Sequence, residues 1–457
     1  MLSLHNFKII AQLSDEEQQQ FVQFLHASYI HTNIKLIKIF SVVHKAVLEE
    51  RYEIEEIAFI KAFPEITKNK QHFYDAISQL YRIIERFLIL QNLEEDTFLQ
   101  QQFLQQAYHQ KQLHYSISTK PTYSSSSFYL HVYKQQLFYQ QHILLEEASN
   151  ISSLENAFHY FDIYAMIEKL RLACSVISAQ NFDKQEADFS LLESLLQSIT
   201  TIDLEKHALL AIYFYTYKML QQPENETYFN QLQPLIYRYV RAFSKSEMRE
   251  IILQANNFCI KRMNRGEEMY FRKSFELYKL GIEQKILLES GLLSRFTYTN
   301  VITIALRLKE IDWTKSFIEI NKKYLEEKFR ESTYSFNKAK LWYAQKLYDK
   351  TIQLLQQADY DDILLNLSAK TILLKIYVEL NYIDALEYHI QSMLKFVSRK
   401  KIEPFYKNNF TNICKLTTKL MEYKANKNKN AKKENLISII QQTNPCSEKV
   451  WLLEQIQ

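Results

Sequence analysis

Apolar residues recur every three to four positions through most of this chain, the spacing of one buried helical face. Ser14 and Glu17 have the capping-box pattern of a helix start, and Phe21, Phe24, Leu25 and Ser28 share one face of the helix they open. Asn33 begins a run in which Leu36, Ile37, Phe40, Val43, His44 and Val47 share a face, and Pro64 closes a shorter helix around Ile57 to Phe63. From Lys70 to Leu93 the stripe is Phe73, Ile77, Leu80, Ile84, Phe87 and Leu88, and a weaker one continues through Phe103, Ala107 and Tyr108. This predicts an N-terminal helical unit over 1–115. The next stretch, 116–127, reads as a loop, because Pro121 and the serines 124 to 127 interrupt the periodicity. Amphipathic helices resume at Phe128, with breaks expected near Asn150, Asn181, residues 200–203, Pro223 and Pro234.

Glycine changes the picture most among the compositional features. The 457 residues include 3 glycines, where average usage would give roughly 32. Folds that need many positive-φ turns are disfavoured, as are phosphate-cradling loops and nucleophile elbows. What remains is an all-α array of helical hairpins. All three glycines fall between 266 and 291, which predicts an irregular junction there.

An internal repeat organises the second half. Trp313-x-x-Ser316-Phe317, Tyr348-x-x-Thr351-Ile352 and Tyr382-x-x-Ala385-Leu386 recur at 35 and then 34 residues. Upstream, Ala305 with Leu308, Ala339 with Trp342, and Leu373 with Ile376 recur at 34 and 34. Two helices and their turns fill about 34 residues, so each copy reads as one hairpin, its small residue allowing close helix approach. A looser fourth copy is Phe271-x-x-Ser274-Phe275. The pattern resembles a degenerate tetratricopeptide repeat without the usual first-helix glycine. With Asn256-Asn257-Phe258-Cys259, Asn264-Arg265-Gly266, Asp312-Trp313, Tyr377-x-Glu379-Leu380 and Arg399-Lys400-Lys401, the chain resembles a family of uncharacterised bacterial tetratricopeptide-like proteins. That resemblance implies a fold class and no activity.

The implied architecture is a right-handed α-solenoid of about 18 to 20 helices. It would comprise a hairpin array over 128–265, tetratricopeptide-like repeats over 266–423, and a basic connector with a terminal helix over 424–457. The net charge of +4 is uneven: residues 395–434 carry +9 and the rest −5, so that segment could meet nucleic acid or an acidic partner. Cys174, Cys259, Cys414 and Cys446 have neither zinc-site nor disulfide spacing. With no signal-peptide pattern and no 18-residue apolar run, a cytoplasmic protein without membrane insertion is expected.

Motifs with a mechanism attached, such as H-E-x-x-H or G-x-S-x-G, are missing from the sequence, so no enzyme, cofactor or metal is expected. Asp359, Asp361 and Asp362 fall in an inter-repeat turn and read as helix caps; His389 reads as a packing residue. Asparagine and arginine side chains can clamp a peptide backbone or carboxylate. The candidate partner-binding residues are therefore Asn257, Arg262, Arg265, Tyr298 and Asn300. Together these readings predict a non-enzymatic scaffold or adaptor holding a peptide or protein in a solenoid groove. The alternative is a ligand-responsive regulator touching nucleic acid through its basic segment.

Overall fold

A computed structural model describes residues 2–3, 15–26, 34–48, 53–54, 70–95, 100, 103–104, 107, 126–143, 151–180, 188–357, 362–425 and 430–456. The Ser14 cap, the 57–63 helix and most of the 99–115 stretch lie outside the described residues. The chain is all-α, with nineteen helices and four two-residue strands among the described residues. It divides into two compact units, residues 1–122 and 123–457.

In the first unit, α1 (Asp15–His26), α2 (Ile34–Leu48) and α3 (Lys70–Glu95) pack pairwise. Strands β1 (Leu2–Ser3) and β2 (Glu53–Ile54) pair antiparallel. The apolar stripes meet as expected: the Phe21 ring is edge-on to Phe40 at 4.9 Å and to Phe87 at 5.0 Å. Ile39, Val43, Leu80 and Ile84 complete this buried core.

The second unit begins with α4 (Ser127–Ile143), α5 (Ile151–Gln180), α6 (Leu192–Ile199), α7 (Ala208–Gln221), α8 (Thr227–Tyr239), α9 (Lys245–Met263) and α10 (Met269–Glu283). Next comes a β-hairpin of Leu288–Glu289 and Leu292–Leu293. Both residues of its turn, Ser290 and Gly291, have positive φ, the geometry that matches strand twist. The remaining helices are α11 (Arg295–Arg307), α12 (Ile311–Asn321), α13 (Glu327–Ala344), α14 (Tyr348–Gln357), α15 (Ile363–Glu379), α16 (Ile383–Arg399), α17 (Pro404–Ala425), α18 (Asn430–Gln442) and α19 (Lys449–Glu454). Neighbours in sequence pack as hairpins. Odd-numbered helices also pack on one another, α5 on α7 on α9, and α11 on α13 on α15 on α17.

Five of these helices stop in the same way. After α9, α10, α11, α13 and α15 stands a residue with φ between 54° and 89°: Gly266, Lys285, Lys309, Lys346 and Asn381. In each, its amide bonds the carbonyl three residues back, and the next amide bonds the carbonyl five back, as from Glu310 to Ala305, Leu347 to Trp342 and Tyr382 to Tyr377. These are Schellman caps, which satisfy the last carbonyls of a helix. Glycine scarcity goes with an all-α chain, as expected, and at these helix ends lysine and asparagine occupy the left-handed position, the main-chain bonds offsetting the steric penalty. Gly281 has a different use. It lies within α10, and a Cβ there would stand 2.8 Å from Leu287 Cδ1.

The caps also correct the repeat register. Aligned on Lys309, Lys346 and Asn381, the hairpins recur at 37 and 35 residues. The buried positions facing the hairpin partner are then Thr314, Thr351 and Leu386, whereas Ser316 and Ala385 are exposed. Side-chain spacing gave the wrong frame because the helices differ in length while the turn is constant. Pro234 is a second correction: it lies inside α8 rather than ending it. Burial of Phe229, Leu232 and Ile236 outweighs the backbone hydrogen bond that proline cannot make.

Candidate functional site

Arg262 lies at the end of α9 with its side chain 12% exposed, 3.2 Å from Glu267 and 3.8 Å from Glu226. Its guanidinium packs over the Phe258 and Tyr270 rings, and the Tyr270 hydroxyl donates to Glu226 at 2.7 Å. Arg265 is paired with Glu224. These two candidates are committed within the chain and join α9 to the start of α8 and α10. Tyr298 is fully buried, its ring against Phe317 and its hydroxyl donating to Ile318 O at 2.9 Å. It is a core residue; the expectation of partner contact at Tyr298 is overturned by its burial.

Asn257 and Asn300 are both exposed, and cap alignment relates them. Each stands nine residues before its positive-φ residue, and Asn337 holds the same place in α13. The 3.6-residue turn makes a stripe on one helical face from each of these positions. It comprises Leu253, Asn257, Ile260 and Asn264 in α9, Phe296, Asn300, Thr303 and Arg307 in α11, Thr333, Asn337, Lys340 and Ala344 in α13, and Ser368, Ile372, Lys375 and Glu379 in α15. All four members are exposed in α11. In α13 and α15 the central members are covered: Asn337 and Ile372 are buried, and Lys340 and Lys375 half-buried.

The segment before and including α19 lies against α17 and over Lys375 and Glu379 of α15. Asn409 of α17 accepts from the Ser447 amide at 2.7 Å, and Asn412 donates to Pro445 O at 3.0 Å. Lys375 is paired with Glu448 at 2.9 Å. Glu379 then accepts three donors: the Tyr343 hydroxyl, the Tyr348 hydroxyl at 2.6 Å and Trp451 Nε1 at 2.8 Å. The Lys375 ammonium stands over both the Tyr343 and Trp451 rings. Leu452 and Ile456 add apolar anchors.

Lys340 completes the constellation. Its ammonium donates to Thr303 Oγ1. Desolvation lowers its pKa to about 8; Lys375 pushes the same way and Glu448 opposes both. Asn337 Nδ2 donates to Thr299 Oγ1 and Thr333 O, while its buried Oδ1 has no donor. Lys340 and Asn337 thus bond toward α11, while Lys375 takes the Glu448 carboxylate. Asparagine and lysine side chains in such an array can hold the main chain and an acidic group of a peptide.

Asp362 caps α15, accepting from the Leu365 amide at 2.9 Å and pairing with Arg295 at 3.1 Å; Asp359 and Asp361 lie outside the described residues. His389 donates Nε2–H to Lys370 O at 2.8 Å and faces the Tyr377 ring, burial lowering its pKa. It borders an open groove of about 440 Å³ between α15 and α16. The residues missed from sequence are Asn337, Lys340, Lys375, Glu379, Asn409 and Asn412; the signal that finds Asn337 is its place nine residues before a cap, shared with Asn257 and Asn300, and Lys340 and Lys375 share the place six before one. Among the described residues no group of three His, Cys, Asp or Glu side chains is placed to hold a metal ion, and no helix is long and apolar enough to cross a membrane. No protein-family model matches the chain, and no curated protein matches it either.

Proposed function

We propose that the second unit is a right-handed, tetratricopeptide-like α-solenoid, similar to uncharacterised bacterial helical-repeat proteins. In this reading it is a non-enzymatic cytoplasmic scaffold or adaptor, holding a peptide or protein along the stripe of its odd-numbered helices. The packing of odd helices on odd helices supports the solenoid. The observation that carries the binding role is the hold on residues 445–451: side chains of α17 grip main-chain groups, and Lys375 and Glu379 take a charged and an aromatic side chain. The stripe continues past this segment to Asn300 and Asn257.

The test is affinity purification of the tagged protein from its native host with and without nuclease, repeated with Asn257→Ala/Asn300→Ala. A stoichiometric, nuclease-resistant protein that the double variant loses, with thermal stability unchanged, supports the reading. A partnerless chain in both preparations overturns it.

A second reading draws on a contrast in charge pairing. Lys395, Arg399, Lys400, Lys401, Lys407, Lys415 and Lys419 are exposed and make no ion pair among the described residues, whereas Arg262, Arg265, Arg272 and Arg307 all do. Contact with nucleic acid through this surface requires DNA affinity that falls steeply with salt, and salt-insensitive or absent binding removes it.

A further inference from the structure

We propose that the face formed by α13, α15 and α17 recognises an acidic, tryptophan-bearing segment of another protein, and that residues 445–456 are the internal occupant which such a partner displaces. The inference rests on the peptide-binding reading above and names the ligand class. A helix that merely extended the stack would touch the last odd helix alone. This segment instead bonds two, α17 through Asn409, Asn412 and Lys424 and α15 through Lys375 and Glu379, and it nears α13 through Glu379, whose Oε1 takes both the Tyr343 hydroxyl and Trp451 Nε1.

The recognition has a definable pattern. An irregular stretch of bends and a turn lies where Asn409 and Asn412 bond its backbone, then an acid meets Lys375, and three residues later an indole donates to Glu379. Three residues separate neighbours on one helical face, so both anchors point to the receptor. A partner segment carrying the same acid and indole would compete with the internal occupant for Lys375 and Glu379.

The experiment uses the full chain and a labelled peptide of residues 443–457 with Cys446→Ser, monitored by fluorescence anisotropy. The full-length double variant Glu448→Gln/Trp451→Ala is expected to bind the peptide at least tenfold more tightly than the wild-type chain. Adding Lys375→Glu abolishes the gain. Equal affinity in a folded double variant overturns the proposal. Should that variant fail to fold, hydrogen exchange on the wild-type chain decides: amides of 449–454 exchanging at least tenfold faster than those of 410–420 support a displaceable occupant, and exchange in step with α17 makes α19 a fixed end cap and sinks the idea. Asn257 and Asn300 lie outside this contact, so their effect on partner capture stands or falls separately.

Discussion

The Lys375 ammonium and the Glu448 carboxylate meet at 2.9 Å across 73 residues of sequence, their side chains 15% and 25% exposed. An exposed pair contributes about 0–1 kcal/mol, while removing one partner of a buried pair costs about 3–5 kcal/mol. This pair lies between those limits. Glu448→Gln is expected to cost about 2 kcal/mol by urea unfolding, because it strands the Lys375 ammonium. Lys375→Met should cost less, because the methionine keeps an apolar contact with the Tyr343 and Trp451 rings. Equal losses would show that the rings contribute nothing once the charge is gone.

The left-handed lysines give a prediction of opposite sign. A side chain at positive φ costs roughly 1–2 kcal/mol that glycine does not incur, partly offset by glycine's greater unfolded-state entropy. Lys309→Gly and Lys346→Gly should each raise stability by about 0.5–1 kcal/mol, read as a higher thermal midpoint. Asn381→Gly should gain less, because asparagine tolerates this conformation. A loss at either lysine would mean that its side chain contributes more than the strain removes.

Overpacking separates the two repeat frames. Thr351 is fully buried and its Oγ1 bonds Leu347 O at 2.9 Å, whereas Ala385 is exposed. Thr351→Trp should cost about 1–3 kcal/mol or more, and Ala385→Trp about 0.5 kcal/mol or less. Comparable losses at both sites would restore the frame read from side-chain spacing.

Lys340 predicts a pH dependence whose sign is set by proton linkage. Its folded pKa, near 8, lies below the ordinary lysine value of 10.5, so between these pH values the unfolded chain binds more protons than the folded one. The charged ammonium is a burden that is fully present below about pH 8 and is relieved as the pH rises toward 10.5. Lys340→Met is therefore expected to be more stable than wild type at pH 7, with the difference shrinking by pH 10. Unfolding titrations of both proteins check this, and a constant difference would rule out the buried charge as its source.

How much the sequence reveals depends on whether one helix or several carry the information. Phe21, Phe40 and Phe87 are readable as core from periodicity alone, as are the cap at Asp362 and the packing of His389, because each reflects local spacing. The repeat frame is not readable in that way: Thr314 and Leu386 occupy the position that matching aromatics assigned to Ser316 and Ala385, Thr351 being common to both frames. At the site, Asn257 and Asn300 are legible as exposed polar residues near a helix break. Arg262 looks equivalent to them in sequence. Glu267 is near it in sequence, but Glu224 and Glu226 lie on the far side of α8, so only tertiary structure shows how fully it is occupied. The hold of Lys375, Glu379, Asn409 and Asn412 on residues 445–451 likewise joins parts of the chain too far apart for any local pattern to connect.

Helix ends closed by main-chain bonds at lysine or asparagine place little demand on which amino acid stands there. A glycine-coded turn is conspicuous to selection, because most replacements break it; a turn at Lys309 or Lys346 already holds an ordinary unbranched side chain and can accept others of that kind at similar cost. Mutational drift can therefore rewrite the letters of such hairpins while their geometry persists, and descent among proteins built this way is better traced through the positions of their caps than through the identity of their side chains.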